Sequence, residues 1–140
     1  MLTVSTDASL LDLDTLHRWL STDAYWAIGR PREVVERAVA GSVNFGAFDD
    51  GRLVGYARVV TDRATFAWLC DVYVAPERRG DGVGTTLLDA VTAHLADYRL
   101  ARVLLATQDA HGLYARFGFE PLAQPERWMA LTPGSSTAPR

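Results

Sequence analysis

The chain contains no lysine, and that absence removes one phosphate-binding chemistry at the outset. A nucleotide P-loop needs Gly-x-x-x-x-Gly-Lys-Ser/Thr, and nothing here can complete it. Cysteine is almost as scarce: Cys70 is the one cysteine in 140 residues. This excludes an intrachain disulfide and a multi-cysteine metal site, and it makes a reducing, cytoplasmic compartment the expectation. The three histidines, His17, His94 and His111, are scattered and predict no metal site. An excess of positive charge is missing too. A formal net charge of −3 and a pI of about 5.5 argue against a nucleic-acid partner, which would ask for a basic patch. No apolar run approaches the roughly 20 residues that span a bilayer, so no membrane partner is expected. The opening MLTVSTDASLLDLD lacks the basic-then-apolar order of a signal peptide.

What is present suits one globular unit. Hydrophobic residues make up 49% and charged residues 22%, and 140 residues are enough to bury a core. No repeat or internal boundary is visible. Only the end, TPGSSTAPR, has linker composition. Residues 1–131 are therefore expected to be a single domain and 132–140 a flexible tail.

LTVST reads as a short first strand. Leu13, Leu16 and Leu20 recur at helical spacing and predict a helix over residues 12–20. STDAYWAIGR follows as a loop or a short helical turn. Pro31 opens a second helix, with Val34, Val35, Ala38 and Val39 as its apolar stripe and Gly41 at its end. VNFGAF and RLVGYARVVT flank Asp50-Gly51, the strongest short hairpin signal, and FAWLCDVYV continues the meander. A helix is predicted over residues 82–95, a strand at RVLLAT, a helix over 109–117 ended by Gly118, and two last strands at FEPL and RWMALT. The order is β-α-α-β-β-β-α-β-α-β-β. It describes an α/β (α+β) fold whose central, mostly antiparallel mixed sheet has six to seven strands, with about four helices. The strand–helix–strand segment over 66–107 predicts one parallel crossover.

After Val74 the chain reads Ala75-Pro76-Glu77-Arg78-Arg79-Gly80-Asp81-Gly82-Val83-Gly84-Thr85. Small residues let backbone N–H groups come close to a ligand. The first turn of the following helix leaves N–H groups without intrahelical partners, and its dipole puts roughly half a positive charge there. Together these predict a phosphate or pyrophosphate site, to which Arg79 can add a charge-assisted contact. The Rossmann fingerprint Gly-x-Gly-x-x-Gly does not fit, because Gly80-x-Gly82-x-Gly84 has another spacing and follows several strands. A turn that merely connects strand to helix is the alternative. Two glycines at the helix start, each costing up to about 1 kcal/mol relative to alanine, weigh against it.

These residues resemble the GNAT superfamily of acyl-CoA-dependent N-acetyltransferases. The family's phosphate loop, Arg/Gln-x-x-Gly-x-Gly/Ala, is matched by Arg79-Gly80-Asp81-Gly82-Val83-Gly84, after Val74-Ala75-Pro76-Glu77 where the family has a strand ending in Val-x-Pro-Glu. A later family signature, an alanine, a tyrosine four residues on and then Gly-Phe, is matched by Ala110, Tyr114 and Gly118-Phe119. With the strand order, the match covers roughly residues 43–122.

The resemblance implies a GNAT-like fold whose fourth and fifth strands splay into a V-shaped cleft. It implies acetyl-CoA as co-substrate and no metal. The pyrophosphate would rest on Arg79, Gly80, Asp81, Gly82, Val83, Gly84 and Thr85. The pantetheine arm would lie along Val72, Tyr73 and Val74 as an added strand. An amine would attack the thioester directly, with a backbone N–H near Val72 stabilising the oxyanion. Tyr114 is then the candidate acid for the leaving thiolate and a cofactor contact, or else a core aromatic of its helix. Many members carry an asparagine seven residues before that tyrosine. Thr107 stands here, either as a shorter contact to the arm or as a cap on the following helix shared with Asp109. Asp71, on the central strand, is the candidate base, directly or through water; capping a bulge or facing solvent is its alternative. His111, one turn before Tyr114, is either a second candidate base or a half-exposed helix start.

Acceptor specificity in this family comes mainly from the first two helices and their loop, here STDAYWAIGRP. Tyr25 and Trp26 are candidate pocket walls and Arg30 a candidate partner for an acceptor carboxylate. The alternative is that the aromatics cover the sheet edge. Tyr56 and Arg58 share a strand face, in the same pocket or exposed. Phe66 and Trp68 are expected in the core, His17 and His94 in solvent. The implied activity is acetyl transfer from acetyl-CoA to a primary amine of a small molecule or peptide. The alternatives are a catalytically idle acyl-CoA-binding or regulatory domain and a protein N-terminal acetyltransferase. Dimers are common in the family, so a homodimer is among the expectations.

Overall fold

The computed structural model describes residues 1–133. The tail expected over 132–140 lies outside the described residues except for Thr132 and Pro133. Apolar alternation builds the sheet. β1 (Leu2–Ser5), β2 (Val43–Asp49), β3 (Arg52–Thr61) and β4 (Phe66–Val74) pair antiparallel in chain order, and β5 (Arg102–Leu104) joins β4 in parallel. Asp50 and Gly51 close the β2–β3 hairpin with φ of 52° and 78°, the two positive values that a type I′ turn demands.

The sheet among the described residues has five strands where six to seven are expected. FEPL and RWMALT form no strand. Pro121 has no N–H to donate, and β5, three residues long, offers little edge for pairing. Trp128 instead lies over the Arg102 guanidinium, 5.3 Å from the ring centroid.

Helices cover both faces. α1 (Leu13–Thr22) begins where the Asp12 carboxylate accepts the Thr15 N–H at 3.1 Å, a side-chain cap. Its Leu16, Trp19 and Leu20, with Val35 and Val39 of α2 (Arg32–Ala40), pack on Tyr56 and Tyr73. On the other face α3 (Val83–Ala96) buries Val83, Leu87, Leu88, Val91 and Leu95 against Phe45, Ala57, Val59 and Leu69. Burying one such side chain is worth about 2 kcal/mol, so the stripe outweighs the roughly 1 kcal/mol that Gly84 costs in the first turn. Gly55 lets α3 approach the sheet: a Cβ there would stand 2.8 Å from Val83 Cγ1. α4 (His111–Ala115) is shorter than the helix expected over 109–117, and Gly118, at φ 94°, ends the turn after it.

Two features open a cleft beside β4. Tyr56 pairs with Tyr73 but Arg58 with Cys70, so β4 carries one residue more than β3 across this step, a β-bulge. Asp71 sits in it at φ 52°, a left-handed conformation that aspartate adopts more readily than most residues. The extra residue reverses the phase of the strand. Ala67 and Leu69 before it, and Val72 and Val74 after it, face α3. Tyr73 turns to the α1–α2 side. In addition, β5 pairs with β4 only at residues 66–68, which leaves residues 69–74 with no strand along that edge. No helix among the described residues is long and apolar enough to cross a membrane.

Candidate active site

The wedge between β4 and the chain leaving β5 holds a cavity of about 590 Å³. Its wall brings together Tyr25, Trp26 and Arg30 from the α1–α2 loop, Asp71 and Val72 from β4, and Thr107 and Tyr114 from beyond β5. Arg58 and Cys70 line it as well. So does Trp68, expected in the core but 36% exposed, because the wedge leaves this end of β4 uncovered. Phe66 is exposed for the same reason. Tyr56 departs from the pocket reading: it is wholly buried, and its hydroxyl donates to Asn44 Oδ1.

Asp71 is the most constrained group in the wall. Its Oδ1 accepts from Trp26 Nε1 at 2.8 Å, and its Oδ2 accepts from Arg30 NH1 and Arg58 Nε, both at 2.8 Å. The carboxylate is 2% exposed, and the arginines are 16% and 15% exposed. Burial opposes its charge most strongly, yet Arg58 and Arg30 together hold the carboxyl below the usual carboxylate range. A carboxylate with three donors and a depressed pKa is a poor proton acceptor. This bonding tells against the base expected of Asp71. Two guanidiniums on one carboxylate leave the cluster a formal charge of plus one.

The α1–α2 loop is tied across the cavity. The Gln108 N–H donates to the Tyr25 hydroxyl at 2.8 Å, and the Tyr25 and Trp26 rings meet edge-on at 4.9 Å. His17 supports the same loop, its Nε2 3.1 Å from the Arg30 carbonyl oxygen. His94 sits edge-on to Phe45, with its Nε2 2.8 Å from the Tyr98 hydroxyl. Neither is the solvated position expected. His111 is exposed and is not in the cavity wall.

On the opposite wall, the Ala110 N–H donates to Thr107 Oγ1 at 3.1 Å, which makes Thr107 a cap for the turn leading into α4. Tyr114 packs edge-on to Phe119 and is 9% exposed. Its hydroxyl has no protein partner among the described residues, and Arg32 Nε is the only buried side-chain N or O atom there that lacks a hydrogen bond, so the hydroxyl reaches the cavity. Burial pushes the phenol up to about 12. Burial likewise pushes the Cys70 thiol up to about 11, which keeps it protonated near neutrality.

The glycine loop lies outside the cavity wall, at the other end of β4. Gly80 and Gly82 hold φ of 90° and 84°, conformations open to glycine, and Gly82 caps α3 with no side-chain bond. The N–H groups of Gly82, Val83, Gly84 and Thr85 have no protein acceptor among the described residues. The Val83 side chain is in the core, so only its backbone is on offer. Asp81 is turned to Arg78, with Oδ2 3.2 Å from Nε. Arg79 is not aimed into the loop: its Nε donates to the Val74 carbonyl at 3.1 Å and its NH2 to Asp23 Oδ2 at 3.1 Å, with the guanidinium over the Tyr73 ring. Tyr73 itself donates to Asp23 at 2.6 Å. Another cation, Arg116, reaches the loop from beyond α4, its NH2 3.4 Å from Thr85 Oγ1. Sequence reasoning missed it, although its place two residues past Tyr114 was available as a signal. Among the described residues, no group of three or more His, Cys, Asp or Glu side chains is placed to hold a metal ion.

Comparison with known proteins agrees with this fold. The family model described as "Acetyltransferase (GNAT) family" matches residues 13–119. A Gibberella zeae protein that bears an acetyltransferase name is 32% identical over an alignment of 133 residues, gaps included, that takes in 81% of this chain and 75% of that one. A crystal structure of a Xanthomonas campestris pv. campestris protein assigned to the same family superposes with a TM-score of 0.91 at 52% identity, over 94% of this chain and 93% of that one. A Brucella melitensis acetyltransferase solved in complex with acetyl-CoA shares the fold, with a TM-score of 0.69 at 18% identity over 86% of this chain and 84% of that one.

Proposed function

The chain belongs to the GNAT family of acetyltransferases, and we propose that residues 1–131 form one unit that transfers an acetyl group from acetyl-CoA to a primary amine of a small molecule by direct attack. The observation that carries this reading is the split beside β4, with unpaired strand edge at one end and unpaired helix-start N–H groups at the other. The two halves suit the two chemistries of CoA. The amide-bearing arm can add to the free edge at Val72 and Val74 as a strand does. Pairing at Val74 requires its carbonyl to exchange Arg79 for the ligand. The N–H groups over residues 82–85, beside Arg116, suit the pyrophosphate.

Acetyl-CoA supplies an activated acyl group. The C–N bond forms as the C–S bond breaks, and the Tyr114 hydroxyl is the donor for the departing sulfur. With Asp71 engaged, the exposed Asp109 in the same wall and the water it meets are left to take the amine's proton. The tie from Tyr25 to Gln108 narrows the acceptor side, which favours a small acceptor over a polypeptide passing through.

Release of free thiol from acetyl-CoA across a panel of amines tests this reading. Turnover with at least one amine is expected. CoA binding without turnover on any amine would leave an idle acyl-CoA-binding domain, and no CoA binding would refute the reading. The loop has its own test in Thr85→Glu. A carboxylate in the first turn of α3 should stabilise the helix by about 0.5 kcal/mol while weakening CoA binding about tenfold or more by repelling its phosphates. Thermal melts and calorimetric titration with CoA read the two effects separately, and an unchanged CoA affinity would sink the phosphate assignment.

A further inference from the structure

We infer that the acceptor is an amine that also carries a carboxylate, and that the carboxylate is read by Arg30 and Arg58. This deepens the acetyl-transfer reading of the same cleft and rests on it. The cluster around Asp71 holds more positive charge than its own neutralisation needs. Each guanidinium offers five N–H donors in a planar fork. Arg30 uses NH1 on Asp71; Arg58 uses Nε on Asp71 and NH1 on Ser42 Oγ, at 3.0 Å. Arg30 Nε and NH2 and Arg58 NH2 have no acceptor among the described residues. Since Arg32 Nε is the one buried side-chain atom there that lacks a hydrogen bond, these donors are open to accessible space, and both arginines line the cavity.

An anion is what such donors select, and the donor substrate does not bring one here. Its pyrophosphate is assigned to residues 82–85, outside this cavity wall, and its thioester end is uncharged. The anion therefore comes with the acceptor. The cluster's single surplus charge matches one carboxylate, and two forks held by one aspartate can engage it at more than one oxygen. The remaining walls fit the rest of such a molecule: Tyr25, Trp26 and Trp68 offer flat apolar surface, and Asp109 an exposed carboxylate on the amine side. Acceptors with several positive charges, such as polyamines, would meet the surplus charge of the arginines directly.

The test compares the standard amino acids, as acceptors, with their carboxamides and with the corresponding decarboxylated amines and spermidine. At least one amino acid should be acetylated with kcat/KM about 10²-fold or more above its carboxamide and its decarboxylated amine. Arg58→Gln and, separately, Arg30→Gln should raise KM for that amino acid by about tenfold or more and KM for its carboxamide by much less, so that the preference for the acid shrinks. Carboxamides, amines or spermidine turned over as well as the acids would overturn the inference and leave acetyl transfer standing. Should no amine turn over while CoA binds, the acetyl-transfer reading fails. The carboxylate site is then read by thermal shift in saturating CoA, with N-acetyl amino acids against their amides. Preferential stabilisation by the acids would support it, and equal or absent stabilisation would overturn it.

Discussion

Tyr114→Phe is expected to lower kcat by about 10²-fold and to leave CoA affinity within about twofold. The hydroxyl is the one atom lost, and it has no protein partner among the described residues, so no hydrogen bond of the fold breaks. The ring keeps its packing on Phe119. Burial holds the phenol up to about 12, so it is a protonated donor throughout the usual assay range. The same shift limits the effect. A thiolate of pKa about 8.5 takes a proton from such a phenol uphill by about 3.5 units, or roughly 5 kcal/mol. Tyr25 and the Asp109 carboxylate, in the wall of the same cavity, push the phenol in the same direction as burial, so that cost stands. It puts the expected loss at the low end of what general acids contribute. Folding does not confuse the comparison. A phenol whose folded pKa stands above its unfolded value of about 10 keeps its full contribution to stability below pH 10 and loses it only as pH rises toward 12. Steady-state kinetics at neutral pH, with CoA titrated in parallel, decide the matter. An unchanged kcat would remove the hydroxyl from the chemistry, and a loss confined to CoA affinity would make it a binding group.

What the sequence displayed was whatever depends on neighbours a few residues apart. Asp50-Gly51 requires positive φ and announces its turn. The stripe from Val83 to Leu95 announces α3, and the glycines before it announce a backbone with nothing to cap it. Pairing information travels less well. FAWLCDVYV reads as one apolar run broken only by its aspartate, so the bulge at Asp71 is invisible in it, and with it the turn of the carboxylate toward Trp26, Arg30 and Arg58. An aspartate in a strand reads equally as base, cap or solvent-facing residue until its partners, 13 to 45 residues away, are in place. RWMALT fails for a related reason: alternation states that a segment can be a strand, but not that an edge is there to receive it, and β5 has only three residues. The size of Trp68 suggests burial, whereas the wedge beside β4 leaves it in the cavity wall. Arg79 shows the limit of motif reading. Its position in the loop is that of the family, but its side chain is committed to Val74 and Asp23.

Asp71→Asn is expected to cost about 3 kcal/mol of stability and to lower Tm by roughly 10 °C, the larger change in this protein from so small a substitution. Asparagine keeps the shape and tolerates the left-handed φ of 52°, so the backbone of the bulge is not the source of the loss. The source is electrostatic. Arg30 and Arg58, 16% and 15% exposed, would face each other with no carboxylate between them, and that partial exposure holds the cost at the lower end for a broken buried pair. A total stability of about 5–15 kcal/mol can absorb this, so the variant should fold and be assayable. The pH dependence has a definite sign. The folded pKa of Asp71 lies below its unfolded value near 3.9, so its contribution to stability is present above that value and disappears as pH falls through the folded pKa. Asp62, Asp23 and Asp49 are lowered too, so acid unfolding persists in the variant, with a slope shallower by the one proton that Asp71 takes up. Kinetics separate positioning from base catalysis. A base would lose kcat and the acidic limb of the rate profile while keeping its Tm. An anchor for two arginines would lose Tm and acceptor KM together, with the acidic limb retained. The three bonds to Asp71 point to the second result, and a variant that melts like the wild type but turns over about 10²-fold more slowly would restore the base.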